Sequence, residues 1–292
     1  MIPKEVLQKV RRIEIRTRSV VESVLSGEYH SVFKGRGMEF SEVRTYTEGD
    51  DIRTIDWNVT ARMGGPYVKK YVEERELTVM LVVDASSSGS FGSVKQFKDE
   101  IAVEMCALLA FSAIKNNDRV GLIIFTSEVE KYIPPKKGKN HVLRVIRELL
   151  YFRPAKKGTD IAEAMGFLNR VLTKKSVVFC ISDFIASGFE PALRIAARRH
   201  DLIVIPIVDP REQELPDVGL IELLDPETGE TLLVDTRDKK ARGRFKELAG
   251  KRTETLRNFL RQHGIDEIPV TTEADYVEPL VKFFRKREKM FR

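Results

Sequence analysis

Four runs of six to eight residues dictate what this chain can fold into: Thr78–Val83 (TVMLVV), Arg119–Thr126 (RVGLIIFT), Ser176–Ser182 (SVVFCIS) and Asp201–Val208 (DLIVIPIV). Each is apolar and rich in β-branched side chains, too short for a helix, and without the polar alternation of a half-solvated strand. Such runs are strands buried on both faces of a sheet. Helical spacing fills the gaps. Phe97, Ile101, Met105 and Leu108 lie along one face of a stretch from Val94 to Lys115, and further helices fall near Asn140–Leu150, after Asp160, and at Pro191–His200. Strand and helix in alternation predict an α/β fold with a doubly wound, mainly parallel, Rossmann-like sheet. Val129–Ile133 adds a short edge strand before Pro134-Pro135. Later, IELLD, PETGE and TLLVD predict a β-hairpin inserted near 220–236. Helices at Lys239–His263 and Asp275–Arg287, with a short strand at Ile268–Thr271, complete the sheet.

The first 75 residues have a different texture and are expected to extend the 76–292 domain. Val6, Val10, Ile13, Val20 and Val24, with Arg11, Arg12, Arg16 and Arg18 between them, predict an amphipathic helix with a basic face across 3–25. From Gly35 to Glu76, short alternating runs and turn signals at Glu48-Gly49-Asp50-Asp51 and Gly64-Gly65-Pro66 fit short strands and loops better than helices. Asp50, Asp51 and Asp56 are interleaved with Arg44, Arg53 and Arg62, so ion pairing satisfies them without a metal. Trp57, the sole tryptophan, is expected to be a buried anchor.

Charge excludes little. Fifty basic residues against 44 acidic ones give +6, and KFFRKREKMFR at the end supplies much of the excess. A solvated helix end explains such a tail, and no zinc-finger spacing or RNA-binding signature accompanies it, so no nucleic-acid partner is expected. No run of about 18 apolar residues encodes a membrane span, and the N-terminus lacks a signal-peptide core. Cys106 and Cys180 fall in a predicted helix and a predicted buried strand; they could pair, but buried thiols of a cytoplasmic protein are the expectation.

Chemistry gathers where the buried strands end. Asp84 closes the first strand, with Ser86 and Ser88 at alternate positions after it. Asp183 closes the SVVFCIS strand. Asp160 and Glu163 form a capping-box pattern that leaves Thr159 on the loop ahead of its helix. Ligands bind at the carboxyl edge of an open α/β sheet. Hard oxygen donors with only two carboxylates suit Mg²⁺ or Mn²⁺.

Asp-x-Ser-x-Ser at a strand end, a downstream Thr and a strand-end Asp together resemble the metal-ion-dependent adhesion site of von Willebrand factor A domains. The resemblance implies Ser86, Ser88 and Thr159 as hydroxyl ligands and Asp84 and Asp183 as carboxylates of the metal, with an Asp or Glu of a partner protein completing its coordination. Ser87-Ser88-Gly89 departs from the Gly-Ser-Met often found there and leaves the ligands untouched. Upstream, GMEFSEVRTYTEGDDIRTIDWNVTAR followed by VKKYVEERE is similar to the hallmark of domain-of-unknown-function family 58, which joins this stretch to a von Willebrand A-like domain. That family implies partnership with a MoxR-type AAA+ ATPase in complex assembly or chaperoning; the lack of a Gly-x-Ser-x-Gly elbow or P-loop points to a non-catalytic role.

Two other classes compete. Asp84 could be a phosphoryl-accepting nucleophile beside Mg²⁺ in a phosphoryl-transfer or hydrolase enzyme. The haloacid-dehalogenase pattern needs an Asp where Ser86 stands, however, and His30, His141, His200 and His263 are scattered outside the cluster. Binding of nucleic acid or anionic membrane through the basic termini is the other.

Overall fold

A computed structural model describes residues 10–15, 17, 20–21, 29, 39–72, 76–86, 97–224 and 230–291. The chain forms two compact units, one of Phe33–Leu77 and one of Met1–Val32 with Thr78–Arg292.

In the smaller unit, β1 (Glu39–Thr45) pairs antiparallel with β2 (Tyr67–Val72), with a register shift between Phe40 and Glu42. Between them run a 3-10 turn (Ile52–Thr54) and a helix, α1 (Trp57–Met63). The expectation of strands and loops alone therefore fails at α1. Asp56 caps this helix, accepting from the N–H groups of Asn58 and Val59, and Gly64 closes it in the left-handed region at φ 74°. Asp51 caps the 3-10 turn in the same way. These local bonds outweigh the β-leaning composition, because capping satisfies donors that a short helix leaves open. The aspartates find cations too, with Arg44 on Asp50 at 2.6 Å, Arg53 on Asp51 at 3.8 Å and Lys69, not Arg62, near Asp56 at 3.6 Å. Trp57 is not buried. It opens α1 with 69% of its surface exposed, on a helix none of whose residues is buried.

The larger unit holds a seven-stranded sheet. Its strands are β3 (Thr78–Asp84), β4 (Arg119–Phe125), β5 (Val129–Lys136), β6 (Val177–Ser182), β7 (Asp201–Val208), and the two-residue β10 (Asp266–Glu267) and β11 (Val270–Thr271). Their order is β10-β7-β6-β3-β4-β5, with β11 also on β7. Every pair is parallel except β4–β5. This is the doubly wound α/β fold that the four apolar runs predict. β5 carries Pro134 and Pro135 within the strand, and as a border strand it can do without their missing N–H groups.

Strand alternation sends side chains to two cores. Met80, Val82, Ile123, Phe125, Val178, Cys180 and Val204 face α4 (Ile161–Val171), α5 (Glu190–Arg199) and the long α7 (Lys239–Gln262). Val79, Leu81 and Val83 point the other way, where α2 (Lys98–Lys115) lies on the sheet and α3 (Lys139–Leu150) beside it. Packing is close at Gly121, where an added Cβ would meet Met80 Cε at 2.8 Å and the Ile133 carbonyl at 3.0 Å. Both cysteines are buried and free, and burial pushes both thiols up.

α6 (Pro210–Gln213) is a single turn after β7. β8 (Leu220–Leu224) and β9 (Thr231–Asp235) form the expected hairpin as a separate two-stranded sheet. The last helix, α8 (Val277–Phe291), is fastened by Arg287, whose guanidinium reaches Asp201 at 2.6 and 2.8 Å and Asp266 at 2.7 Å. Of the expected N-terminal helix, residues 10–15 are helical, with Val10 and Val21 buried, whereas Val6 and Val24 lie outside the described residues. Among the described residues no helix is long and apolar enough to cross a membrane.

Candidate functional site

Asp84 ends β3, and Asp183 follows directly on β6, the strand paired beside it. Parallel register thus puts both carboxylates at the carboxyl edge of the sheet. The backbone N–H of Ser86 donates to Asp84 Oδ1 at 2.9 Å, and the Ser182 hydroxyl donates to Oδ2 at 2.6 Å. Burial, together with the negative charge of Asp183, raises the Asp84 carboxyl to about 6 against the bonds from Ser182 and Ser86. Ser182 also accepts from the Phe184 N–H at 3.1 Å, and Phe184 sits in the left-handed region at φ 55°. This turn leaves Asp183 Oδ1 accepting from the Ile185 N–H at 3.1 Å.

Lys98 and Glu212 join the cluster and were not singled out from sequence. Lys98 is the first residue of α2 and only 3% exposed. Its ammonium lies 3.1 Å from Asp183 Oδ2 and also pairs with Glu212 Oε1 on α6. The other oxygen of Glu212 accepts from the Asp209 N–H at 3.1 Å, and burial raises its carboxyl while Lys98 opposes the rise. One signal for Lys98 was available: a cation in the first turn of a helix opposes the macrodipole and calls for a carboxylate nearby.

Asp84, Ser86, Lys98, Ser182 and Asp183 line a cavity of about 20 Å³, room for one water or one small ion. Of the predicted ligands, Asp84, Ser86 and Asp183 come together here. Thr159 does not line this cavity. It is half-buried on the neighbouring loop ahead of α4. That loop is held by the Asp160 N–H donating to the Thr126 carbonyl at 2.8 Å. Glu130 holds it as well, accepting from Thr126 Oγ1 at 2.6 Å, the Ala155 N–H at 2.7 Å and the Lys156 N–H at 3.2 Å. Asp160 caps α4 through the Glu163 N–H as expected, but the Glu163 carboxylate turns to Arg170 at 2.8 Å. Ser88 lies outside the described residues.

The donor chemistry fits a hard divalent ion, with carboxylate and hydroxyl oxygens around a space of ionic size. Among the described residues no group of three or more His, Cys, Asp or Glu is arranged to hold a metal. A competitor is present, since Lys98 already occupies one oxygen of Asp183. A second hollow of about 210 Å³ also has Asp183 in its lining, where Phe184, Ile185, Val208 and Leu256 give it apolar walls and Glu212, Arg252 and Glu267 stand among its polar residues.

Fold and site together define a doubly wound α/β domain with an oxygen-rich cluster at the carboxyl edge of its sheet. The sequence matches the family model described as "Protein of unknown function DUF58" over residues 42–255, and the chain belongs to that family. It is 31% identical over 283 residues to the uncharacterized protein Rv1480 of Mycobacterium tuberculosis, covering 96% of this chain and 89% of the relative. The same figures hold for the uncharacterized protein Mb1516 of Mycobacterium bovis. Similar solved structures include BatB from Bacteroides thetaiotaomicron, at 18% identity and TM-score 0.49, with 73% of this chain and 99% of that one covered. The VWA domain of SpRpn10 matches at 10% identity and TM-score 0.38, covering 71% and 95%.

Proposed function

We propose that this protein is a non-catalytic interaction module that captures an acidic side chain of a partner protein through a divalent ion. Asp84, Ser86, Ser88, Thr159 and Asp183 would hold Mg²⁺ or Mn²⁺, and the ion would supply an open coordination position for the partner's carboxylate. The observation that carries this reading is the meeting of Asp84, Ser86 and Asp183 around one ion-sized cavity at the sheet's carboxyl edge. The second hollow lined by Asp183 supports it, because an apolar residue next to the partner's Asp or Glu would find a seat there. The chain's own residues then divide the work. Ser182 and the Ser86 N–H fix the Asp84 carboxylate, the turn at Phe184 presents Asp183, and Glu130 holds the loop that carries Thr159. A contact completed by an ion is breakable, which suits a partner that an ATPase remodels. A MoxR-type AAA+ ATPase is the partner we propose, on the family resemblance.

The test is co-purification of the full chain with a MoxR-type ATPase from the same source, in Mg²⁺ and in EDTA, beside a folded Ser86→Ala/Ser88→Ala variant. Capture by the wild type in Mg²⁺ alone supports the proposal. Equal capture in all four conditions refutes the role of the cluster.

A further inference from the structure

Burying an ammonium is costly, and the first turn of a helix is a poor place for one. Lys98 nevertheless lines the same cavity as Asp84, Ser86 and Asp183, with its side chain 4% exposed against 5% for Asp183 and 21% for Glu212. Its Nζ stands between two carboxylates from different elements, Asp183 Oδ2 at 3.1 Å and Glu212 Oε1. One ammonium thus serves the carboxylates of Asp183 and Glu212, while Asp84 and the exposed Asp99 line the same cavity, so its charge falls short of theirs. The deficit is what a dication would offset.

We infer that Lys98 is a resident cation that competes with the divalent ion for Asp183, and that metal binding passes its ammonium wholly to Glu212. The inference rests on the adhesion-site reading and deepens it by naming the residue that sets the strength of metal binding. Two cations sharing one carboxylate oppose each other reciprocally. Lys98 would then hold Asp183 in place when no metal is bound and keep metal affinity low until a partner's carboxylate adds to the site. Glu212 is the alternative seat that makes the exchange possible, and α6 is the element that registers it.

The test is Mn²⁺ binding to the purified full chain, followed by the electron paramagnetic resonance signal of free Mn²⁺, for wild type, Lys98→Met and Glu212→Gln. Thermal melts check folding, and Gln at position 212 keeps a side-chain acceptor for the Asp209 N–H. Lys98→Met is expected to bind Mn²⁺ about tenfold tighter, within the usual 5–150-fold range of coupling. Glu212→Gln is expected to bind it more weakly, since the ammonium then has only Asp183. A merely structural role for Lys98 would weaken binding in both variants. Wild-type binding that Lys98→Met leaves unchanged or weakens overturns this inference alone. No Mn²⁺ bound by any of the three overturns it together with the adhesion-site reading. If Lys98→Met does not melt cooperatively, Lys98→Gln replaces it, and tighter binding by Glu212→Gln still refutes the exchange.

Discussion

Glu130 is the residue whose removal should most directly unfasten Thr159. Its carboxylate gathers the Thr126 hydroxyl from the turn between β4 and β5 and the Ala155 and Lys156 N–H groups from the loop, so it ties β5 to the loop backbone. Burial pushes the Glu130 carboxyl up, but these three bonds prevail and hold it below the usual carboxylate range. In Glu130→Ala the Ala155 and Lys156 N–H groups turn to water, while the buried Thr126 hydroxyl loses its acceptor. A partly exposed bond of this kind contributes about 0.5–1 kcal/mol net, so with two such bonds gone the loop loses about 1–2 kcal/mol of local stability. That is a factor of roughly 5–30 in the fraction of time the loop stands open. Trypsin reads this directly. Lys156 and Lys157 are exposed within the loop, whereas Arg153 is followed by Pro154 and resists cleavage. Cleavage after Lys156 or Lys157 should therefore quicken about tenfold in Glu130→Ala, with little change in the global melt, when opening is fast relative to cleavage. The pH dependence follows the same group. A lowered carboxyl contributes stability above its unfolded pKa of about 4.3 and loses it as pH falls through the folded value. A protease active in acid should thus find the wild-type loop opening as pH falls below the ordinary glutamate range. Equal cleavage rates for wild type and Glu130→Ala at neutral pH would refute the claim that this carboxylate holds the loop.

Arg287→Ala strands Asp201 and Asp266, but both are about one-third exposed, so the cost should be about 2–3 kcal/mol, seen as a melt lowered by about 4–10 °C. Gly121→Ala drives a methyl into Met80 and the Ile133 carbonyl and should cost about 1–3 kcal/mol in urea unfolding. His200 is buried with neither ring nitrogen hydrogen-bonded, and burial, with help from Arg199, lowers its pKa. The fold keeps it neutral while the unfolded chain takes up a proton below about pH 6.5, so stability should fall from pH 7 to pH 5 and fall less in His200→Phe. Trp57 should be quenched by acrylamide in the native protein nearly as well as in the unfolded one, since it is 69% exposed.

The fold was legible wherever burial was total. The four apolar runs are strands within one or two residues because nothing else accommodates six consecutive side chains hidden on both faces. Asp84 and Asp183 were legible for the same reason: each ends such a run, and parallel register brings run ends together. What the sequence hid depends on distant partners. Lys98 and Glu212 are 114 residues apart and meet only because α2 and α6 converge on one edge. Trp57 misled because its size argues for burial, whereas capping by Asp56 decides which way α1 begins. Glu163 has the spacing of a capping-box partner, yet Arg170 offers its carboxylate a charge that the backbone N–H does not.

The two borders of the large sheet have a consequence for how anything can attach to it. On one side β5 interrupts its own ladder with Pro134 and Pro135. On the other, β10 and β11 are two residues each, separated by Ile268 and Pro269. Among the described residues, a foreign strand meets only residues 129–133 before the prolines at one border and two-residue stretches at the other, which works against edge-to-edge aggregation. It also works against recognition by strand addition to this sheet. What the sheet offers a visitor is the end-on row of loops where its strands stop, and specificity there is written in side chains rather than in backbone.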